Sequence, residues 1–411
     1  MDLKITQAQL PGCSGYWDVG IIGDRIAEIS PSISATAVQT LDAQGQFLIP
    51  GLVDGHIHLD KALILDRFPA VDGTFAEALQ ETLNLKQSFT IADIQQRARR
   101  VIERAIAFGV TAMRSHVEVD PIMGLKSVEA LQPLKHEYAW GLTLQLAIFA
   151  QEGITNHPGL ETELRQAMRM GGDVIGSAPY TDPNPKRNIE LVFDIAQEFD
   201  CPVDFHLDFL DNDEPLLLPL VIEETLKRGW QGRVCLGHMT KLAALNPKEL
   251  AAIAQDLQAA GIAILALPIT DLYMMARKDT HNQRRGVAPV HTLAQYGVTV
   301  GLATNNVQNL FTPFGDGDVL KVCTVLAQVL QMGTATSHQL CLDMATTHAA
   351  QCIGIKDYGL NVGNIADLVL LNAESVSDVI GTAPSDRTVI KHGKVIVQSK
   401  TERHWLKPSA S

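Results

Sequence analysis

Between roughly Gly51 and Gly354 the chain alternates short apolar, β-branched runs with amphipathic stretches of helical period, and that alternation restricts the fold more than any other feature. The runs cover residues 47–54, 110–119, 141–149, 174–177, 203–206, 234–237, 262–267 and 298–303. Uninterrupted apolar runs suit strands covered on both faces, as in parallel sheets whose crossovers are helices. Helical periodicity fills the gaps, notably at 91–108, 159–170, 189–199, 214–228, 247–260 and 319–332. Eight such units predict an α/β fold, a closed (β/α)8 TIM barrel. The 411 residues leave length for a smaller unit beside it.

The two ends have a different texture. Short alternating segments occupy 3–6, 16–22, 25–29 and 39–42, punctuated by Gly20, Gly23 and Pro31; similar segments return at 366–371, 388–392 and 394–397, with Gly393 at a hairpin turn. Period-two alternation with such turn residues predicts antiparallel strands. Because domain termini often lie close together, both ends are expected to form one small β-sandwich module, 1–50 with 358–411, around a barrel spanning 51–357.

A formal net charge of −13, with no long basic runs, argues against nucleic acid or an anionic membrane surface and leaves a small molecule as the expected partner. Six cysteines without CxxC spacing lie mostly in apolar contexts, as reduced core thiols do. The N-terminus has no basic-then-apolar signal pattern and no apolar stretch is long enough to cross a bilayer, so a cytoplasmic protein is expected. A homo-oligomer stays open.

Active sites of such barrels occupy the C-terminal face, which directs attention to the residues just past each strand. The first run leads into Pro50-Gly51-Leu52-Val53-Asp54-Gly55-His56-Ile57-His58-Leu59-Asp60-Lys61, where strand alternation sends His56 and His58 out on the same side. The second run ends at His116 and Glu118, Gln151 follows the third, His206 and Asp208 end the fifth, His238 the sixth, and Asn305 and Asn306 follow the eighth. One histidine at a strand end is usually a hydrogen-bonded bystander. Histidines at four strand ends are harder to satisfy by packing, and a shared divalent metal explains them together.

The chain resembles the amidohydrolase superfamily, and within it the branch of cytosine deaminase and the triazine-side-chain hydrolase acting on N-isopropylammelide. The segments that carry the resemblance are PGLVDGHIHLDK, RSHVEVD, AIFAQEG, DFHLDFLDNDE, LGHMT, LPITDLYMMARKDTHNQRRG and GLNVGNIADLVLL, spread over nearly the whole sequence. No lysine occurs in 172–177, where subtypes with two bridged metals place one, so the resemblance implies a single metal ion. It implies that His56, His58 and His206 bind one Zn2+ or Fe2+, making a hydroxide from water that attacks an electron-poor ring carbon. His238 is implied to hydrogen-bond that water and carry protons, and Gln151 to read an amide-like heterocycle edge with one donor and one acceptor. Lys61 either meets a substrate carbonyl oxygen or lies on the surface.

Two positions depart from the pattern. The aspartate expected after the eighth strand, in contact with the metal, is Asn305, and the glutamate expected three residues after His206 is Phe209. An amide oxygen ligates weakly and the group has no useful basicity; a phenyl ring cannot protonate a ring nitrogen but can line a pocket. Asp208 is either a substitute base or a buried carboxylate orienting a histidine, and Glu118, Asp211 and Asp271 are further carboxylates on that face. Phe149, Leu210, Leu272, Met274 and Phe311 could line an apolar cavity, with Asn309 and Thr312 adding polar contacts. Three functions fit: a hydrolase taking an amine from a cytosine-, pterin- or triazine-like ring, a degenerate barrel that only binds such a ring, and a cyclic amidase.

Overall fold

The computed structural model describes residues 1–68, 70–209, 212 and 214–406. The chain opens with β1 (Leu3–Ala8), β2 (Trp17–Ile22), β3 (Arg25–Ser30) and β4 (Gln39–Asp42), a sheet ordered β3-β2-β1-β4. After the short β5 (Phe47–Pro50) the barrel begins with β6 (Leu52–Ile57) and continues through β7 (Val110–Glu118), β8 (Thr143–Ala150), β9 (Val174–Ser177), β10 (Val203–Leu207), β11 (Val234–His238), β12 (Ile262–Ala266) and β13 (Val300–Leu302). These eight strands are parallel neighbours in chain order. The wall closes where the main chain of Asn305, just past β13, meets β6: its N–H donates to His56 O at 2.8 Å and its carbonyl accepts from His58 N at 2.9 Å. The fold is therefore a (β/α)8 barrel.

Residues 47–54 are not one strand, contrary to the sequence expectation. β5 turns away to join a second four-stranded sheet with β14 (Leu368–Leu371), β15 (Arg387–Lys391) and β16 (Lys394–Ser399), ordered β16-β15-β14-β5. The break falls at Gly51, where a Cβ would collide with the Thr111 side chain and the Tyr358 hydroxyl, so only glycine lets the chain pass between module and barrel. The two end sheets share one apolar core, in which Leu3, Ile5, Val19 and Ile21 meet Leu48, Leu368, Leu370 and Ile390.

One helix matters for the site and was not expected. α1 (Phe75–Lys86) starts at Thr74, whose hydroxyl accepts from Glu77 N at 3.2 Å, while the Glu77 carboxylate gathers the N–H groups of Val71, Asp72 and Gly73. It lies across the barrel mouth, with the Phe75 ring 5.6 Å from Phe209 and 5.9 Å from Phe311. Among the described residues no helix is long and apolar enough to cross a membrane. The six cysteines are free, and all but Cys13 are buried.

Candidate active site

His56 and His58 leave the end of β6 one residue apart in the alternation, and β10 carries His206 to the same level. The Nε2 atoms of His56 and His58 each lie 3.1 Å from His206 Nε2. Three neutral imidazoles cannot satisfy one another at a single point, because each bare nitrogen needs a donor. Their Nδ1 atoms are also buried without partners among the described residues. Burial, helped by the neighbouring imidazoles and, for His58 and His206, by Lys61, holds all three pKa values well below that of an ordinary histidine. Neutral imidazole is the form that ligates a metal. Nitrogens about 2.0–2.1 Å from a tetrahedral Zn2+ lie roughly 3.3 Å apart, close to the separations found here. The donor set fits one divalent cation.

His116 stacks beneath this cluster, 3.8 Å from the His56 ring by centroids, with its Nε2 3.2 Å from Asp204 Oδ1. His56, His116 and Asp204 form a second group close enough to share an ion. Arg114 already claims the Asp204 carboxylate, donating to Oδ2 at 2.8 Å, so His56, His58 and His206 are the better cradle.

Lys61 is not a surface lysine. It is 3 % exposed, and its Nζ lies 2.5 Å from Glu118 Oε1 and 5.0 Å from the centre of the Phe311 ring. Glu118 is shared: its other oxygen lies 2.7 Å from Lys86 Nζ, and Lys86 also reaches Asp120 at 3.0 Å and Glu152 at 2.8 Å. Two buried lysines and three carboxylates thus form one network, with Lys61 at its cavity end and Lys86 at the C-terminus of α1. Lys86 carries no signature in the sequence, where it reads as one more charged helix residue.

The remaining wall is built from Gln151, Tyr180, Phe209, His238, Thr270, Asn305, Asn306 and Phe311, with Phe75 from α1. Tyr180 follows β9 and its hydroxyl is hydrogen-bonded to the Gln151 side chain. Phe209 packs its ring 4.2 Å from that of His238. His238 and Asn305 both take left-handed backbone angles, φ 71° and 62°, a conformation that turns these side chains in at the strand ends. The Asn305 amide oxygen is buried and accepts no hydrogen bond among the described residues. With the aromatic cap in place the cavity is only about 20 Å³, room for about one water.

Asp208 does not serve the mouth as expected. Its backbone turns left-handed at φ 47°, and its two oxygens accept from Leu217 N at 2.9 Å and Leu218 N at 3.1 Å, fastening the loop before the next helix. The carboxylate that does reach the site is Asp271, in the helix Pro268–Met274, with Oδ1 2.7 Å from His238 Nδ1. Of the apolar candidates, Phe209 and Phe311 line the cavity, Met274 packs within the cap and Leu272 is 38 % exposed. Asn309 holds its own loop by accepting from the N–H groups of Phe311 and Thr312. Leu210 and Asp211 lie outside the described residues.

A barrel of this topology with three convergent imidazoles at its C-terminal mouth defines a class of metal-dependent hydrolases. The chain belongs to the amidohydrolase family, whose sequence profile matches residues 47–396. N-isopropylammelide isopropyl amidohydrolase of Pseudomonas sp. (strain ADP) is 30 % identical over 410 residues, covering 97 % of this chain and 98 % of that protein. Pterin deaminase of Rhizobium rhizogenes is 28 % identical over 389 residues, covering 93 % and 88 %. Among solved structures, 5-methylcytosine deaminase from Klebsiella pneumoniae with 5-fluorocytosine superposes with a TM-score of 0.92 at 29 % identity, covering 98 % of this chain and 99 % of that one.

Proposed function

We propose that this protein is a mononuclear metal-dependent hydrolase that removes an amino or alkylamino group from a small nitrogen heterocycle of the cytosine, pterin or triazine kind. The observation that carries the reading is the meeting of three neutral imidazole Nε2 atoms, two of them 3.1 Å from the third, at a barrel mouth that also holds His238, Gln151 and Lys61. His56, His58 and His206 would hold one Zn2+ or Fe2+, with the unpartnered Asn305 amide oxygen as a further neutral donor. When bound, such a cation supplies Lewis acidity that makes water a usable nucleophile at neutral pH.

The chain's own groups do the rest. Gln151 offers a donor and an acceptor to an amide-like ring edge, and Lys61, held by Glu118, points an ammonium at a carbonyl oxygen. Phe75, Phe209 and Phe311 cover the ring and exclude water. Relatives named for 5-methylcytosine, pterin and N-isopropylammelide, each similar over nearly its full length, support the heterocycle class. Action in the cytoplasm belongs to the same reading, supported by the buried free thiols.

The test is elemental analysis of the purified protein together with cytosine, 5-methylcytosine, pterin and N-isopropylammelide as substrates. About one metal per chain and release of ammonia or isopropylamine from at least one compound are expected; failure to take up metal after reconstitution sinks the reading. A second reading, a barrel that binds a heterocycle without turning it over, is favoured by Asn305 and Phe209 standing where two acids are expected. Asn305→Asp separates the two. A gain of about 10²-fold or more in hydrolysis marks a decayed site, whereas lost activity marks asparagine as the working residue.

A further inference from the structure

Hydrolysis at a ring carbon moves protons: one must leave the attacking water and one must reach the departing nitrogen. Asn305 can do neither. The other buried carboxylates around the mouth are already committed. Asp208 accepts from two backbone amides, Glu118 is shared by two lysines, Asp204 is paired with Arg114, Asp54 accepts from both the N–H and the hydroxyl of Thr304, and Asp60 accepts from Glu118 N. Asp60 and Asp204 each keep one oxygen without a hydrogen-bond partner among the described residues, but neither is bonded to an imidazole that lines the cavity. Asp271 is different. It is fully buried, its Oδ1 lies 2.7 Å from Nδ1 of His238, its Oδ2 has no partner among the described residues, and the imidazole it touches lines the cavity.

The His238 ring is confined on its other sides. Phe209 lies 4.2 Å away by centroids, His206 5.5 Å and His56 5.9 Å. With Nδ1 turned to Asp271, Nε2 is the ring edge left for the substrate. We propose that Asp271 is a positioning residue: by accepting a hydrogen bond from Nδ1–H it locks His238 in the tautomer with a bare Nε2, so that this pair carries the proton Asn305 cannot. The inference rests on the hydrolase reading for its chemistry, but the placement of the hydrogen stands on the geometry alone.

In the reaction the water oxygen bonds to the ring carbon as one of its protons passes to His238 Nε2. The imidazolium, stabilised by the Asp271 carboxylate, returns that proton to the departing nitrogen as the C–N bond breaks. The second water proton stays on the product as a hydroxyl or lactam N–H. Nothing is oxidised or reduced, and the ring regains its starting tautomer.

The experiment is ¹⁵N NMR of histidine-labelled, metal-free protein, with His238 assigned by comparison with His238→Gln, beside steady-state kinetics on the four compounds above. In the unaltered protein His238 is expected to carry hydrogen on Nδ1 and none on Nε2. The isosteric Asp271→Asn is expected to shift the hydrogen to Nε2 and to lower kcat by about 10²- to 10⁴-fold with KM within about 3-fold and metal content unchanged. A protonated Nε2 in the unaltered protein, or an Asp271→Asn variant with kcat within about 3-fold, overturns the proposal. Should Asp271→Asn not fold, the unaltered protein's tautomer decides. Should no compound turn over, the hydrolase reading fails while the tautomer still reports on Asp271.

Discussion

Lys86→Met probes the buried network that holds Lys61. Methionine keeps the bulk of the stem and removes an ammonium that is 1 % exposed and lies within 3.0 Å of Glu118, Asp120 and Glu152. Burial alone would push the Glu118 carboxyl up, but Lys61 and Lys86 override it and hold it down to about 2, against an ordinary 4.5. The folded value lies below the unfolded one, so this stabilisation is present above pH 4.5 and is lost as the pH falls toward 2. At about 1.4 kcal/mol per pH unit the difference is on the order of 3 kcal/mol, shared between two lysines. Removing one lysine also leaves three carboxylates facing a single cation, and breaking a buried pair typically costs about 3–5 kcal/mol.

The sign for the variant is opposite. Without Lys86 the remaining carboxylates are harder to ionise in the folded protein than in the unfolded one, so their penalty appears as the pH rises. Urea unfolding followed by tryptophan fluorescence should therefore give a deficit of about 3–5 kcal/mol at pH 8 that shrinks as the pH drops through 5. A deficit below about 1 kcal/mol at pH 8, or one that does not change with pH, refutes the argument.

His206→Ala removes the imidazole that both other ligands approach, and the purified variant should contain no stoichiometric metal; full occupancy by elemental analysis would contradict the assigned cradle. Asp208→Ala frees the N–H groups of Leu217 and Leu218 and should cost about 1–2 kcal/mol in urea unfolding while leaving metal content unchanged. A 10²-fold fall in kcat at unchanged stability would instead return Asp208 to the role of base.

The sequence disclosed the barrel and its rim because both depend on short-range patterns. Continuous apolar runs marked seven of the eight barrel strands to within a few residues and only the first half of β6, and period-two alternation placed His56 and His58 on one side. Where the reading erred, the cause is three-dimensional. The run through residues 47–54 hides a change of sheet that only the crowding at Gly51 enforces. Asp208 follows His206 at strand spacing, but the strand ends at Leu207 and a left-handed turn carries its carboxylate into the loop. Asp271 was visible as a carboxylate on the correct face, yet its partnership with His238 spans 33 residues and two strand ends. Lys86 gave no signal, since nothing in an amphipathic helix marks which lysine will be driven inside.

The seam between the first and last barrel strands joins architecture to chemistry unevenly. It is sewn by the peptide groups of residue 305, one to each of the two neighbouring histidines, and by Thr304 donating to Asp54, and makes no use of the residue 305 side chain. Amide or carboxylate can therefore occupy the position without loosening the wall, leaving acid–base character there open to evolutionary drift. Ion capture has no such latitude: any breathing of the seam pulls directly on the peptides bearing His56 and His58, so the grip on a cation and the integrity of the cylinder rise and fall together.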